Sequence, residues 1–191
     1  MAAYQLLVKF RKNQNSPERT QILKDAEQHC LRCLEIYPAY IQCLNNLGTI
    51  YFIQKRYPES EKYYRKGLEI DSSDANVLFN LATIYVTENQ IDRANLFYKK
   101  AIAANPDVFD LIPVYKQFVV KNHQQADAIV FISNILTNFP QHYNLHLLII
   151  DLYNDQHDYD SALLYLDRAY RIKPSDELAK FIETLKKIRN K

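Results

Sequence analysis

The chain has 191 residues, 48% of them hydrophobic, and 24 Lys and Arg against 22 Asp and Glu for a formal net charge of +2. That is enough apolar material for a core of domain size, and the balanced charge carries no general signal for nucleic acid. Two glycines are too few for a chain rich in tight turns and phosphate-cradling loops.

Residues 1–40 read as a divergent first hairpin. Tyr4, Leu7, Val8 and Phe10 predict a short helix, ended by the polar run Asn13 to Pro17. No signal-peptide core is present there, because Lys9, Arg11 and Lys12 follow only a short apolar patch. A second helix is expected from about Glu18 to Tyr37.

From Ile41 to Pro106 the sequence repeats itself 34 residues on. Leu44, Leu47, Gly48, Tyr51, Ser60, Tyr64, Gly67 and Ser72 return as Leu78, Leu81, Ala82, Tyr85, Ala94, Tyr98, Ala101 and Pro106. Large falls on large and small on small, without a gap. The register projects back onto Ala26, Cys30, Cys33 and Pro38, and forward onto two further copies. The first of these carries Ile112, Tyr115, Lys116, Val119, Ala128, Ile132, Ile135 and Pro140; the second carries His146, Ile149, Ile150, Tyr153, Ala162, Leu166, Ala169 and Pro174. Lys116 and Ile135 are large where the pattern wants small residues. The repeats are therefore placed at 41–74, 75–108, 109–142 and 143–174, in one domain over 1–191.

Each proline between helices costs no helical hydrogen bond, but Pro113 falls inside the start of a helix and predicts a late or distorted beginning there. Residues 175–191 predict a capping helix. Ser175 is a suitable N-cap, Asp176 and Glu177 occupy the first turn, and Lys186, Lys187 and Arg189 the last. Leu178, Phe181, Ile182, Leu185 and Ile188 form its apolar stripe. Such an end shields the last repeat of a stack from water.

The 34-residue period, with small residues at the eighth, twentieth and twenty-seventh positions, resembles the tetratricopeptide repeat. The resemblance implies an all-α fold: a right-handed α-solenoid of about five antiparallel helix hairpins with a C-terminal capping helix. It also implies a concave groove lined by positions 2, 5, 6, 9, 12 and 13 of each first helix, the side opposite the packing stripe at about 100° per residue. In the second repeat these are Gln42, Asn45, Asn46, Thr49, Phe52 and Ile53. In the third they are Asn76, Phe79, Asn80, Thr83, Val86 and Thr87; in the fourth Asp110, Pro113, Val114, Gln117, Val120 and Lys121; in the fifth Asn144, Leu147, Leu148, Asp151, Asn154 and Asp155.

The stripe is rich in amides in its first half and apolar with carboxylates in its second. Asn46 and Asn80 share one position in neighbouring repeats, and an Asn can serve both the donor and the acceptor of a peptide backbone. This pair resembles the Asn ladder in the superhelix of O-GlcNAc transferase, but Val114 and Leu148 end it after two rungs. The carboxylate clamp of the family's chaperone-tail binders is not expected, since Asn45, Thr49, Asp110 and Val114 stand where its Lys, Arg and Asn would be. Asp110, Asp151 and Asp155 face only Lys121 as an opposing charge, so the groove is expected to favour a basic ligand end near the fifth repeat.

No catalytic or cofactor motif occurs. Cys30 and Cys33 form a C-x-x-C without a preceding strand and are expected as small buried hydrophobes at packing positions. With three cysteines in no disulfide pattern, a reducing, cytosolic compartment is expected, or a fragment of a larger chain. His142 and His146, four residues apart, could share a metal on a helix; no nearby Cys or third His completes the set, although Asp151 or His157 could approach. The longest uncharged apolar run, Leu145 to Ile150 with His146 within it, is too short for a membrane span. The expected function is a non-enzymatic scaffold that binds a protein or peptide, without cofactor, nucleic acid or membrane insertion. The alternatives are a regulatory or substrate-recruiting segment of an enzyme such as a glycosyltransferase, and a self-associating assembly. The initial Met and the capped end favour the scaffold.

Overall fold

The computed structural model describes residues 19–108 and 110–189. Among them are ten α-helices and no strand: α1 (Arg19–Ile36), α2 (Ile41–Ile53), α3 (Tyr57–Ile70), α4 (Ala75–Thr87), α5 (Ile91–Ala104), α6 (Leu111–Lys121), α7 (Gln125–Asn138), α8 (Tyr143–Asp155), α9 (Tyr159–Ile172) and α10 (Asp176–Arg189). The chain divides into two compact units, with the boundary between Ala104 and Asn105. The first holds α1 to α5 and the second α6 to α10. The expected short helix at residues 4–10, the polar run Asn13 to Pro17 and the cluster Lys9, Arg11 and Lys12 lie outside the described residues.

Each hairpin is closed by complementary volumes at two positions. In α2 and α3, Gly48 faces the ring of Tyr64; a Cβ added at Gly48 would fall well inside van der Waals contact with that ring. The Ser60 hydroxyl donates to the Gly48 carbonyl at 2.7 Å and is fully buried. The following copies carry Ala82 with Tyr98, Lys116 with Ile132, and Ile150 with Leu166. The ring shrinks to an aliphatic chain as the facing residue grows. Close packing demands this trade, since an interior at crystal density has no spare volume. Lys116 and Ile150 are thus accommodated at a nominally small position. Ala94, Ala128 and Ala162 occupy the Ser60 position with no exposed surface.

The turn inside each hairpin uses one backbone device. Lys55, Asn89, His123 and His157 have φ of 61°, 58°, 56° and 60°, and they are spaced 34 residues apart. The next residue's amide bonds back five residues in each case: Arg56 to the Tyr51 carbonyl at 2.9 Å, Gln90 to Tyr85 at 2.8 Å, Gln124 to Val119 at 2.8 Å and Asp158 to Tyr153 at 3.0 Å. This is a Schellman helix end, which usually has glycine at the left-handed position. No glycine stands at any of the four.

Helix α6 starts at the third position of its repeat, at Leu111, and so places Pro113 in the first turn, where its missing N–H is harmless. Asp110 before it is left-handed, at φ 60°. At the other end, Ser175 Oγ accepts the Leu178 amide at 3.2 Å and caps α10 as expected. Leu178 and Leu185 are buried and join Leu166 and Ala169 in one cluster, with Phe181 and Ile182 half-buried beside it. Ile188 does not belong to this stripe: it is 42% exposed.

The cysteines correct the sequence reading. Cys30 is buried in the cluster of Ile22, Leu23, Ala26, Leu47, Ile50 and Tyr51, but Cys33 is half-buried and forms a disulfide with Cys43. The end of α1 and the start of α2 place the two Cα atoms 6.6 Å apart across a sequence separation of 10, within bridging distance. The inference of a reducing compartment from unpaired cysteines loses its basis. Among the described residues no helix is long and apolar enough to cross a membrane.

Candidate functional site

In the first unit the inner stripe runs over α2 and α4, which pack against each other. Its residues are partly committed to the fold. Asn80 Nδ2 donates to Asn45 Oδ1 at 2.8 Å, so Asn80 is engaged across the repeats by Asn45, while Asn46, at the equivalent position, is not. One helix of each repeat advances against the next, and this sets a fifth-position side chain against a sixth-position one. Thr49 Oγ1 donates to the Asn45 carbonyl at 3.0 Å and lies 3.1 Å from the Tyr64 hydroxyl. Thr83 repeats this, donating to the Phe79 carbonyl at 3.1 Å and bonding the Tyr98 hydroxyl. Burial pushes the Tyr98 phenol up, against the smaller lowering effect of that bond. The tyrosines that fill the hairpins therefore extend to the inner face and tie down its threonines.

What is left for a ligand in the first unit is narrower than the stripe. Among the described residues, Gln42, Asn46 and Asn76 make no side-chain hydrogen bond. Gln42 and Asn76 are exposed, and Asn46 and Phe79 are half-buried. Phe79 leans on Tyr98, with ring centroids 5.9 Å apart.

In the second unit α6 packs against α8. Gln117, Lys121, Asn144 and Asp155 are exposed, as the stripe requires, whereas Leu148 is 2% exposed and belongs to the core. Asp151 is not open to a ligand charge: Lys116 Nζ donates to Asp151 Oδ2 at 2.6 Å. The sequence pattern puts Lys116 in the packing layer and offers Asp151 only Lys121 as an opposing charge. The lysine's long stem covers apolar surface while its ammonium reaches the polar face, and the modest bulk of Ile132 opposite leaves room for the stem.

Around this pair lies a recess of about 450 Å³. Ile112, Pro113, Leu147 and Leu148 supply its apolar surface, and Asp107, Asp110, Lys116 and Asp151 its charges. Asp107 is the residue the sequence reading missed. It lies in the connection before α6, outside the helical stripe, and no periodicity marks it. His142 Nε2 lies 3.3 Å from its Oδ1. The ring of His146 is buried, with Nε2 2.8 Å from the Pro140 carbonyl oxygen, so that nitrogen is occupied. Burial lowers the His146 pKa, partly offset by that bond. Among the described residues, no group of three His, Cys, Asp or Glu could hold a metal ion.

Two sequence profiles of the tetratricopeptide repeat match the chain, over residues 41–107 and 123–177, together more than half of it. The chain belongs to the tetratricopeptide repeat family. Solved structures agree on the fold of this repeat protein. It is similar to YrrB, described as a tetratricopeptide repeat protein with an unusual peptide-binding site, at 17% identity and a TM-score of 0.51 over 96% of this chain and 100% of that one. It is similar to pilF of Pseudomonas aeruginosa at 20% identity and 0.53, over 95% and 83% of the two chains. A chain in the complex of Naa15 and Naa10 bound to HypK-THB aligns at 15% identity and 0.61, with 99% of this repeat protein covering 30% of that chain. No curated protein matches the sequence.

Proposed function

We propose that this protein is a non-enzymatic interaction module that holds a peptide or helical segment of a partner protein along the inner faces of its hairpins. The observation that carries the reading is the set of stripe amides, Gln42, Asn46 and Asn76, that the fold presents without using them. Three amides on one face, each with donor and acceptor to offer, are suited to a peptide backbone. The family membership and the likeness to a peptide-binding repeat protein support it further.

The test is affinity capture with the intact chain, repeated with Asn46→Ala combined with Asn76→Ala. Neither residue bonds within the fold, so the variant should keep wild-type helicity and melting temperature. Each lost ligand hydrogen bond should weaken binding by about 0.5–1.5 kcal/mol. Undiminished recovery of the same partners by the double variant would remove the first unit's inner face as the site.

A further inference from the structure

We propose that the recess beside α6 and α8 in the second unit is a specificity pocket for a partner segment that carries a large apolar side chain next to a lysine or arginine. The proposal rests on the interaction-module reading above and adds the chemistry of the ligand.

The volume, about 450 Å³, falls in the range of ligand-sized sites, roughly 300–1,000 Å³. Its floor is apolar, from Ile112, Pro113 and Leu147, and such a floor is filled by an aliphatic or aromatic anchor of the kind that dominates interface energies. Among the described residues the rim has three aspartates, Asp107, Asp110 and Asp151, against one lysine, Lys116. Lys116 and Asp151 neutralise each other at 2.6 Å, which leaves on the rim the carboxylates of Asp110 and of Asp107, the latter 3.3 Å from His142 Nε2.

Asp110 is the sharper of the two. Asp74 and Asp158, at the N-caps of α4 and α9, each accept a backbone amide, from Val77 at 3.0 Å and Ser161 at 3.1 Å. Asp110 sits at the N-cap of α6 in the left-handed conformation and makes no such bond. Its carboxylate is exposed on the rim and unused by the helix. Asp107 has 69% of its side chain exposed, with only the His142 ring beside it. A segment bearing an apolar anchor and an adjacent cation satisfies floor and rim together. An acidic segment meets the exposed carboxylates of Asp107 and Asp110 and is repelled.

The probes are three end-capped, fluorescein-labelled octapeptides: one with a central leucine flanked by arginines, one with glutamates in place of the arginines, and one with serine in place of the leucine. Anisotropy titrations use the intact chain at low and at physiological salt. The first peptide should bind, and the other two about tenfold or more weakly. Binding should fall as salt rises, since the rim charges are exposed. Asp107→Asn with Asp110→Asn should weaken it severalfold, and asparagine tolerates the left-handed backbone at 110. Lys116→Gln frees Asp151 and should tighten it. A folding defect cannot give these opposite signs. No binding by the first peptide, equal binding by the glutamate peptide, or the same direction of change in both variants overturns the proposal. If the recess variants leave partner capture intact while Asn46→Ala with Asn76→Ala abolishes it, the recess proposal falls and the module reading stands. If the wild-type chain captures nothing, the module reading falls first.

Discussion

The Tyr85 hydroxyl donates to Glu61 Oε1 at 2.8 Å, joining the second helix of one repeat to the first helix of the next. Arg65 closes the group, with Nη2 2.8 Å from the same hydroxyl and 2.7 Å from Glu61 Oε1. One repeat earlier, Tyr51 donates to Glu27 Oε1 at 2.9 Å. Tyr51 and Tyr85 are 34 apart, and so are Glu27 and Glu61. In the first unit the helices are thus fastened by a polar pair that recurs at the edges of these two buried rings.

This pairing predicts a pH profile. Burial pushes the Tyr85 phenol up to about 12, with the Glu61 bond adding to it. For Glu61, burial raises the pKa, but the bonds from Tyr85 and Arg65 outweigh it and the net shift is downward. A phenol with a raised folded pKa contributes stability that is complete below the ordinary value of 10.0 and lost as pH rises toward 12. A depressed carboxylate contributes stability present above its ordinary value and lost as pH falls through the depressed one. Urea midpoints should therefore decline in both arms. Tyr85→Phe should cost about 1 kcal/mol at neutral pH and make the alkaline arm shallower, while Tyr85→Ala should cost about 3–5 kcal/mol. An alkaline arm unchanged in Tyr85→Phe would show that this phenol does not titrate with unfolding.

The volume trade at the hairpin interface predicts a coupled pair. Gly48→Ile should cost about 3 kcal/mol by overpacking against Tyr64. Adding Tyr64→Leu should recover a large part of that loss, because the fifth repeat already packs Ile150 on Leu166. A double-mutant cycle by chemical denaturation reads the coupling. Additive effects would mean that the two side chains do not share the space.

Four left-handed turn residues without glycine predict an easy gain. The left-handed backbone costs a residue with a Cβ about 1–2 kcal/mol, and glycine's larger unfolded entropy returns about 0.5–1 kcal/mol of that. Lys55→Gly and His123→Gly should each stabilise the fold by roughly 0.5–1 kcal/mol, measured as a shift in urea midpoint at unchanged slope. Asn89→Gly should gain less, since asparagine tolerates this conformation.

The Cys33–Cys43 bridge predicts one titratable thiol, that of Cys30, in the denatured, unreduced protein. A short closed loop of this size should stabilise the fold by about 2–3 kcal/mol. Reduction, or Cys33→Ser with Cys43→Ser, should lower the thermal midpoint, with the loss falling on the first unit. Three reactive thiols under denaturing, non-reducing conditions would refute the bridge.

Much of the fold was legible in the sequence, because the repeat states its own periodicity. Leu44, Leu47, Tyr51 and their copies recur at helical spacing, and small residues mark where two helices approach. Register and spacing are one-dimensional, so Ile41 to Pro106 could be placed by counting. The cap at Ser175 and the displaced start at Pro113 followed from local backbone chemistry. Helical spacing proposes the inner stripe as a set of helix positions, but it does not give the state of its side chains, and Leu148 among them is buried in the core. That Asn45 meets Asn80, that Tyr64 and Tyr98 reach through to Thr49 and Thr83, and that Lys116 cancels Asp151 all depend on how one helix advances and rotates against its neighbour. The same holds for Asp107, brought to the recess by a connection with no period, and for Cys33, brought to Cys43 by the turn between α1 and α2. Hydrophobic spacing determines which face of a helix is buried. Hydrogen bonds and ion pairs need contact within about 3 Å, and only packing in three dimensions decides distances on that scale.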